Sequence, residues 1–396
     1  MHNNSLLIRN VRPLGKNSAD LLVRDGTIVA LGTDLNAEGA AILEGAGQLL
    51  LPGLVDAHTH IDKTFWGQPW QRHQAGPRII DKIENERRLR RELKLSAETQ
   101  SANQIRQAIR MGTTHIRTHV DVDTEIGLSS IEAVLASKEH FRESMTLQLV
   151  AFPQSGLMIR PGTQALLEAA IDAGADLVGG IDPGAIDRDP AGQLDCIFDI
   201  AERKQVGIDI HLHEADQLGA TSIELILERT RALGMQGQVT ISHAFCLGML
   251  PEAQLSGLIE SLQALDITIM THGPGHIAFP PIKRLYEAGV RVCAGSDGIR
   301  DAWGPYGNAD MLERAMLMGF RSNYRHDDEL EMILDICSFG GARVMGMADY
   351  GLEPGCSADF VLVDAETPTH AIVSRPPRSL VCKAGRIVAR NGECLV

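Results

Sequence analysis

The sequence predicts an α/β fold of the TIM-barrel class, a (β/α)8 barrel with a small β-sandwich domain formed by the N- and C-terminal segments. Three observations carry that expectation. Strand-like and helix-like runs alternate through the middle of the 396-residue chain, both ends are strand-like without helical periodicity, and polar residues able to do chemistry close seven of the eight central strands. Residues at the C-terminal strand ends of such a barrel converge in space however far apart they lie in sequence.

Residues 6 to 48 read as short β segments: Leu6-Leu7-Ile8, then Leu21–Gly32, in which Asp25-Gly26 marks a hairpin turn. The far end has the same texture, with Phe360–Asp364 and Leu380–Ala389 broken by Pro376-Pro377 and Asn391-Gly392. The two ends are expected to pair, giving a small domain over 1–48 plus 350–396 and a barrel over 49–349. Within the barrel the strand-like runs are Leu50–His60, His115–Val120, Leu147–Phe152, Leu177–Ile181, Ile208–His213, Val239–His243, Ile267–Thr271 and Val290–Gly295. Intervening stretches such as Thr163–Ile171 and Ile223–Arg229 carry apolar residues at three- and four-residue spacing, as amphipathic helices do. An open doubly wound sheet is the competing architecture, but no G-x-G-x-x-G follows an early strand.

Composition narrows the function classes. Lys and Arg number 37 against 51 Asp and Glu, a formal charge of −14 that would repel a phosphate backbone. The cluster Arg87-Arg88-Leu89-Arg90-Arg91 is interleaved with Glu84, Glu86 and Glu92 and reads as a solvated, salt-bridged helix face. Seven cysteines without a C-x-x-C pair read as reduced, mostly buried thiols, Cys246 and Cys293 included. Met1–Arg9 has no basic segment followed by a long apolar one, and no apolar run reaches membrane-spanning length, so a cytoplasmic location is expected, with no nucleic acid and no membrane as partner.

The strand ends hold the chemistry. In an extended strand side chains two apart point the same way, so His58 and His60 can face one ion together. Strand two ends in His119 and Asp121, three in Gln154, four in Asp182, five in His211, His213 and Glu214, six in His243 and eight in Asp297. Buried imidazoles and carboxylates cost free energy unless paired or metal-bound, and this inventory exceeds what packing requires. Three imidazoles and a carboxylate suit one divalent ion, Zn or Fe(II), with a position left for water. His119, Asp121 and Asp182 read as supporting groups, and His272 and His276, in the loop after strand seven, as solvated ones.

The stretches PGLVDAHTHIDKTF, RTHVDVD, VAFPQSG, HLHE, SHAF, SDGIRDAW and GLEPGCSADFVLVD make the chain resemble the amidohydrolase superfamily. The pattern is similar to its cytosine deaminase and N-isopropylammelide isopropylaminohydrolase-like branch. That resemblance implies one divalent metal held by His58, His60, His211 and Asp297, with Glu214 shuttling protons and His243 polarising or orienting hydroxide. It implies a substrate contact from Gln154, and a hydrogen bond or charge stabilisation from Lys63. Strand four offers no lysine that could be carbamylated to bridge a second metal. His213 assists Glu214 or lines the pocket, Trp303, with Trp66 and Trp70, offers an aromatic wall, and Gly298, where cytosine deaminases carry a second carboxylate, enlarges the pocket for a bulkier ring. The implied activity is hydrolytic removal of an exocyclic amine or alkylamine from a small heterocycle, by a protein that assembles as a homo-oligomer. Hydrolysis of a cyclic amide is the alternative, and a non-catalytic metal- and heterocycle-binding barrel a further one.

Overall fold

The computed structural model describes residues 5–36 and 38–396; residues 1–4, where the opening stretch read above begins, and residue 37 lie outside the described residues. The amino-terminal segment lays down β1 (Ser5–Pro13), β2 (Ala19–Arg24), β3 (Thr27–Gly32) and β4 (Ala41–Pro52). Eight strands follow: β5 (Leu54–Thr59), β6 (Thr113–Asp121), β7 (Thr146–Phe152), β8 (Leu177–Ile181), β9 (Gly207–Leu212), β10 (Val239–His243), β11 (Thr268–Thr271) and β12 (Val292–Ala294). Each pairs in parallel with the next. The chain ends in β13 (Phe360–Val363), β14 (Arg378–Lys383), β15 (Arg386–Arg390) and β16 (Glu393–Cys394).

The first and last segments meet in a separate eight-stranded sheet, with β13 antiparallel to β4. Strand alternation assigns its two faces. Leu50 joins Leu6, Ile8, Leu21, Val23 and Phe360 in a core of the sheet's own, while Leu49 and Leu51 turn with Val361 and Val363 toward the barrel. The run Leu50–His60, expected as one strand, is therefore divided between two sheets. Gly53 sits at the junction, where a Cβ would lie 2.2 Å from Thr114 Oγ1.

The barrel strands are buried on both faces, which explains their near-continuous apolar sequences. The first crossover holds two helices rather than one. The second, α2 (Ala97–Arg110), packs on β6 and is capped by Ser96, whose side chain accepts from Thr99 N–H. The first, α1 (Ile79–Leu93), lies across the barrel mouth, where Ile83 packs with Phe152 and Ile181 at the ends of β7 and β8. Helices α3 (Ser129–His140), α4 (Thr163–Ala173), α5 (Pro190–Lys204), α6 (Asp216–Ala232), α7 (Glu252–Ala264) and α8 (Ile282–Glu287) occupy the later crossovers. After β12 come α9 (Met311–Arg321), α10 (Asp327–Ile336) and α11 (Phe339–Val344). Among the described residues no helix is long and apolar enough to cross a membrane.

The ring closes between β5 and the residue pair just beyond β12. Asp297 N–H donates to His58 C=O at 2.9 Å, and Thr59 bridges Asp297 in parallel register.

Two glycine substitutions test this packing. Gly53→Ala forces a methyl into Thr114 and is expected to lower stability by about 1–3 kcal/mol, the usual cost of overpacking. Gly257→Ala, on the exposed side of α7 with nothing within 4 Å, is expected to raise it by about 1 kcal/mol through helix propensity. Thermal unfolding of both variants beside the parent chain reads the contrast.

Candidate active site

Barrel closure brings the ends of β5, β9, β10 and β12 together. His58 Nδ1 meets Ser242 Oγ at 2.9 Å, and that hydroxyl donates to Asp209 Oδ1 at 2.6 Å. This fixes the ring with its other nitrogen, Nε2, 3.6 Å from Asp297 Oδ1. His60 Nε2 lies 3.4 Å from the same oxygen and 3.3 Å from His211 Nε2. His211 stacks on Phe152 with ring centres 4.1 Å apart, which sets its plane. Donor atoms of His58, His211, His243 and Asp297 all fall within 4.8 Å of one another, and His60 meets Asp297 and His211 beside this group.

The electrostatics call for a cation. Burial, helped by nearby Lys63, pulls His60 down to about 4. Burial takes His272 to about 3 and drives His211 and His243 well below the ordinary imidazole value. Burial disfavours the protonated form of these four rings, and the buried Nε2 atoms of His58 and His243 find no hydrogen-bond partner among the described residues. Burial alone would raise Asp297, but the imidazoles of His272 and His243 outweigh it and hold the carboxyl well below its usual range. Buried imidazole nitrogens converging around one carboxylate fit a divalent ion.

Around this cluster the expected residues take several stations. His213 donates to Asp182 twice, from its backbone N–H at 2.6 Å and its Nδ1 at 2.8 Å, and stacks on His243 with ring centres 4.4 Å apart. Burial opposes its protonation, but Asp182 prevails and raises its pKa. Glu214 turns toward the loop after β8, accepting from Gly184 and Ala185 N–H at 2.6 and 2.7 Å and from Ser222 Oγ at 2.5 Å. Burial raises its pKa. Trp303 lies 6.4 Å from His213 in a near-parallel stack, whereas Trp70 is exposed and Trp66 lies under Arg300.

Lys63 is buried, with its ammonium donating to Asp121 at 2.9 Å and Gln154 Oε1 at 2.7 Å and pairing with Glu86 at 3.3 Å. Its three N–H groups are thus engaged, and Gln154 keeps its own amide N–H2 turned away from the lysine. Glu86 also accepts from Trp303 Nε1 at 2.5 Å. The arginine run differs from the expected solvated face. Arg88 and Arg91 pair at the surface, but Arg90 reaches down from α1 to Asp121 and Glu86, and Arg87 to Asp123. Burial lifts Asp62 to about 7 and Glu86 to about 8; it would also raise Asp121, but Lys63 and Arg90 hold that carboxyl low. A cavity of about 370 Å³ opens beside this network, lined by Lys63, Glu86, Phe65, Leu89 and Ile126.

Two further corrections concern the strand-end inventory, while the two cysteines beside it stand as expected. His272, expected as solvated, sits with Nδ1 3.5 Å from Asp297 Oδ2 and 3.2 Å from His243 Nδ1, while His276 is exposed. Gly298 does not open free space, because a Cβ there would lie 2.1 Å from Asp301 Oδ2. Cys246 and Cys293 are buried, and burial pushes both thiols up to about 12. Asp209, Ser242 and Glu86 escaped the sequence reading: Asp209 and Ser242 lie inside apolar strands and Glu86 inside an ordinary helical charge pattern, and only the assembled barrel gives them partners.

The amidohydrolase family pattern matches residues 45–389. N-isopropylammelide isopropyl amidohydrolase of Pseudomonas sp. strain ADP is 32% identical over 398 aligned positions, covering 98% of this chain and 97% of its own. The crystal structure of N-isopropylammelide isopropylaminohydrolase from Burkholderia multivorans superposes with a TM-score of 0.96 at 50% identity, over 99% of this chain and all (100%) of that one. That of 5-methylcytosine deaminase from Klebsiella pneumoniae, with 5-fluorocytosine bound, gives 0.85 at 27% identity over 97% of each.

The raised Glu86 yields a pH test. A carboxyl at about 8 in the fold and near 4.5 when unfolded favours the folded state fully below about 4.5, and that contribution is lost as pH rises through about 8. Glu86→Gln keeps the neutral form at every pH. The variant's thermal midpoint is expected to fall less steeply than the parent's between about pH 5 and 9, read by calorimetry at fixed salt; parallel profiles would contradict the assignment.

Proposed function

The chain belongs to the amidohydrolase family, and we propose that it hydrolytically releases an amine or alkylamine from the exocyclic position of a nitrogen heterocycle, an N-alkyl hydroxytriazine first among candidates. One observation carries the reading: buried imidazole nitrogens without hydrogen-bond partners converge on Asp297 at the mouth of the barrel. His58, His60, His211 and Asp297 are the proposed holders of one divalent ion, Zn or Fe(II). When bound, such an ion supplies Lewis-acid activation of water at neutral pH.

The side chains then divide the remaining work. Asp297, kept ionised at its station, takes the proton that the attacking water gives up. His243, anchored through Nδ1 to His272, orients that water with its free Nε2. Glu214, with its raised pKa, gives a proton to a ring nitrogen, and the His213–Asp182 pair protonates the departing amine. Gln154 donates its amide N–H to a ring carbonyl, and Lys63 positions that amide by holding its oxygen. Trp303 provides a flat wall beside His213.

The partner is a small heterocycle, and the formal charge of −14 disfavours nucleic acid. A cytoplasmic location forms part of the proposal, supported by seven cysteines that are all free in the fold. Homo-oligomeric assembly is supported by Leu317 and Phe320, which share one exposed face of α9.

Zn- and Fe(II)-loaded protein is expected to release isopropylamine from N-isopropylammelide faster than ammonia from ammelide, cytosine, isocytosine or 5-methylcytosine. Asp297→Ala abolishes release, and Asp182→Asn lowers kcat by about 10²- to 10⁴-fold, the range of lost acid–base catalysis, with little change in KM. Ring-opened product without amine would replace this reading with cyclic amide hydrolysis, and binding without any product would leave a non-catalytic barrel.

A further inference from the structure

The cavity of about 370 Å³ beside the Lys63 network lies between α1 and the amino-terminal ends of α2 and α3, and no histidine lines it. Its walls are apolar. Leu89 and Leu93 come from α1, Ala133 from α3, and Phe65 and Ile126 from loops. Asp62, Lys63 and Glu86 form a buried polar floor, the two carboxyl residues being 6% and 5% exposed. That floor is short of donors. Lys63 spends its three N–H groups on Asp121, Gln154 and Glu86, and Arg90 turns to Glu86, Asp121 and Asp123. Asp62 Oδ2 accepts from Asp121 N–H at 3.1 Å, but the buried Oδ1 has no hydrogen-bond partner among the described residues. At the rim, the exposed Glu98 forms no ion pair among the described residues either.

A buried carboxyl oxygen with no donor is costly unless something bound beside it supplies one. A floor that lacks a donor and walls that are hydrocarbon call for one chemistry: N–H groups at one end of the ligand and an alkyl group at the other. We propose that this cavity is a second binding site, which takes a small primary alkylammonium ion. Its N–H groups donate to Asp62 Oδ1, and its alkyl group lies against Leu89, Leu93 and Ala133. Charge favours a cation, because among the lining side chains Asp62, Glu86 and Glu98 outnumber Lys63 and Arg90, whose own charges are already paired. The ligand has the chemistry of the amine released in the proposed reaction, yet the assignment rests on the cavity alone and holds whatever the histidine cluster does.

Calorimetric titration of the full chain near neutral pH, where alkylamines are protonated, tests the site. Isopropylammonium chloride is expected to bind, and sodium isobutyrate, of similar size and opposite charge, is not. Affinity should rise about fourfold per added carbon from methylammonium through ethylammonium to isopropylammonium, as buried hydrocarbon groups do. Asp62→Asn keeps an oxygen for Asp121 N–H but turns the free end from acceptor to donor. It is expected to weaken isopropylammonium binding about 10- to 100-fold, as for a lost hydrogen bond to a charged group. Ala133→Phe fills the cavity from α3, leaves Asp62 unaltered and should abolish binding; Leu93→Trp fills it from α1 should the first variant fold poorly, folding being read by the thermal midpoint. Equal binding of the two ions, affinity indifferent to alkyl size, undiminished binding by Asp62→Asn or by the filled variants, or no binding by the parent chain would overturn the proposal.

Discussion

The contact on which the site depends is the closure of the barrel between β5 and the end of β12. Gly295 passes so near His58 that a Cβ would stand 2.3 Å from its carbonyl oxygen and 2.5 Å from its Cβ. This approach lets Asp297 N–H reach His58 C=O and puts one carboxylate beside two histidines from the opposite end of the barrel sequence. Buried groups lock the seam. Asp56 accepts from Ser296 N–H and Oγ at 2.9 and 2.5 Å, and Arg314 holds the carbonyls of Ser296 and His272. Burial lifts Asp56 to about 6 despite those hydrogen bonds. Asp182, His243 and Asp297 all have positive φ, at 38°, 73° and 61°, so three strand ends hold left-handed conformations to aim their side chains across the mouth.

Around that seam the carboxyls are sorted by environment. Asp209 and Asp121 are held low by His119 and Lys63 respectively against burial that would raise them, whereas Asp62 and Glu86, with weaker compensation, are pushed toward neutrality or beyond. The ionised members support cationic or ring partners, and the raised ones add less charge to a crowded interior. α1 completes this arrangement from above. Its Ile83 face seats it on the barrel mouth, and Glu86 and Arg90 on the next turn complete the Lys63–Asp121 network that holds Gln154.

The barrel and the terminal sheet were legible because each rests on a short-range pattern: apolar strands at regular intervals, amphipathic helices, and Asp25-Gly26 between two β runs. His58, His60, His211, His243 and Asp297 were legible because barrel topology brings strand ends together, whatever their separation in sequence. What escaped depends on geometry that no local pattern encodes. Gly53 looks like one residue in an apolar run, and only the packing of Thr114 reveals it as a boundary between sheets. α1 has the charge pattern of any surface helix, and its place over the mouth follows from Phe152 and Ile181 at distant strand ends. Gly298 reads as empty space until Asp301 is seen in it, because a turn of two left-handed residues is invisible in side-chain types alone.

The central claim is that barrel closure builds one centre for a single divalent ion. Anomalous diffraction at the zinc edge, from crystals of the full chain grown with excess zinc, tests it most directly. The account predicts one strong peak among His58, His60, His211 and Asp297. Two peaks of comparable height in the barrel mouth, or a single peak displaced to His119 and Asp209, would contradict it.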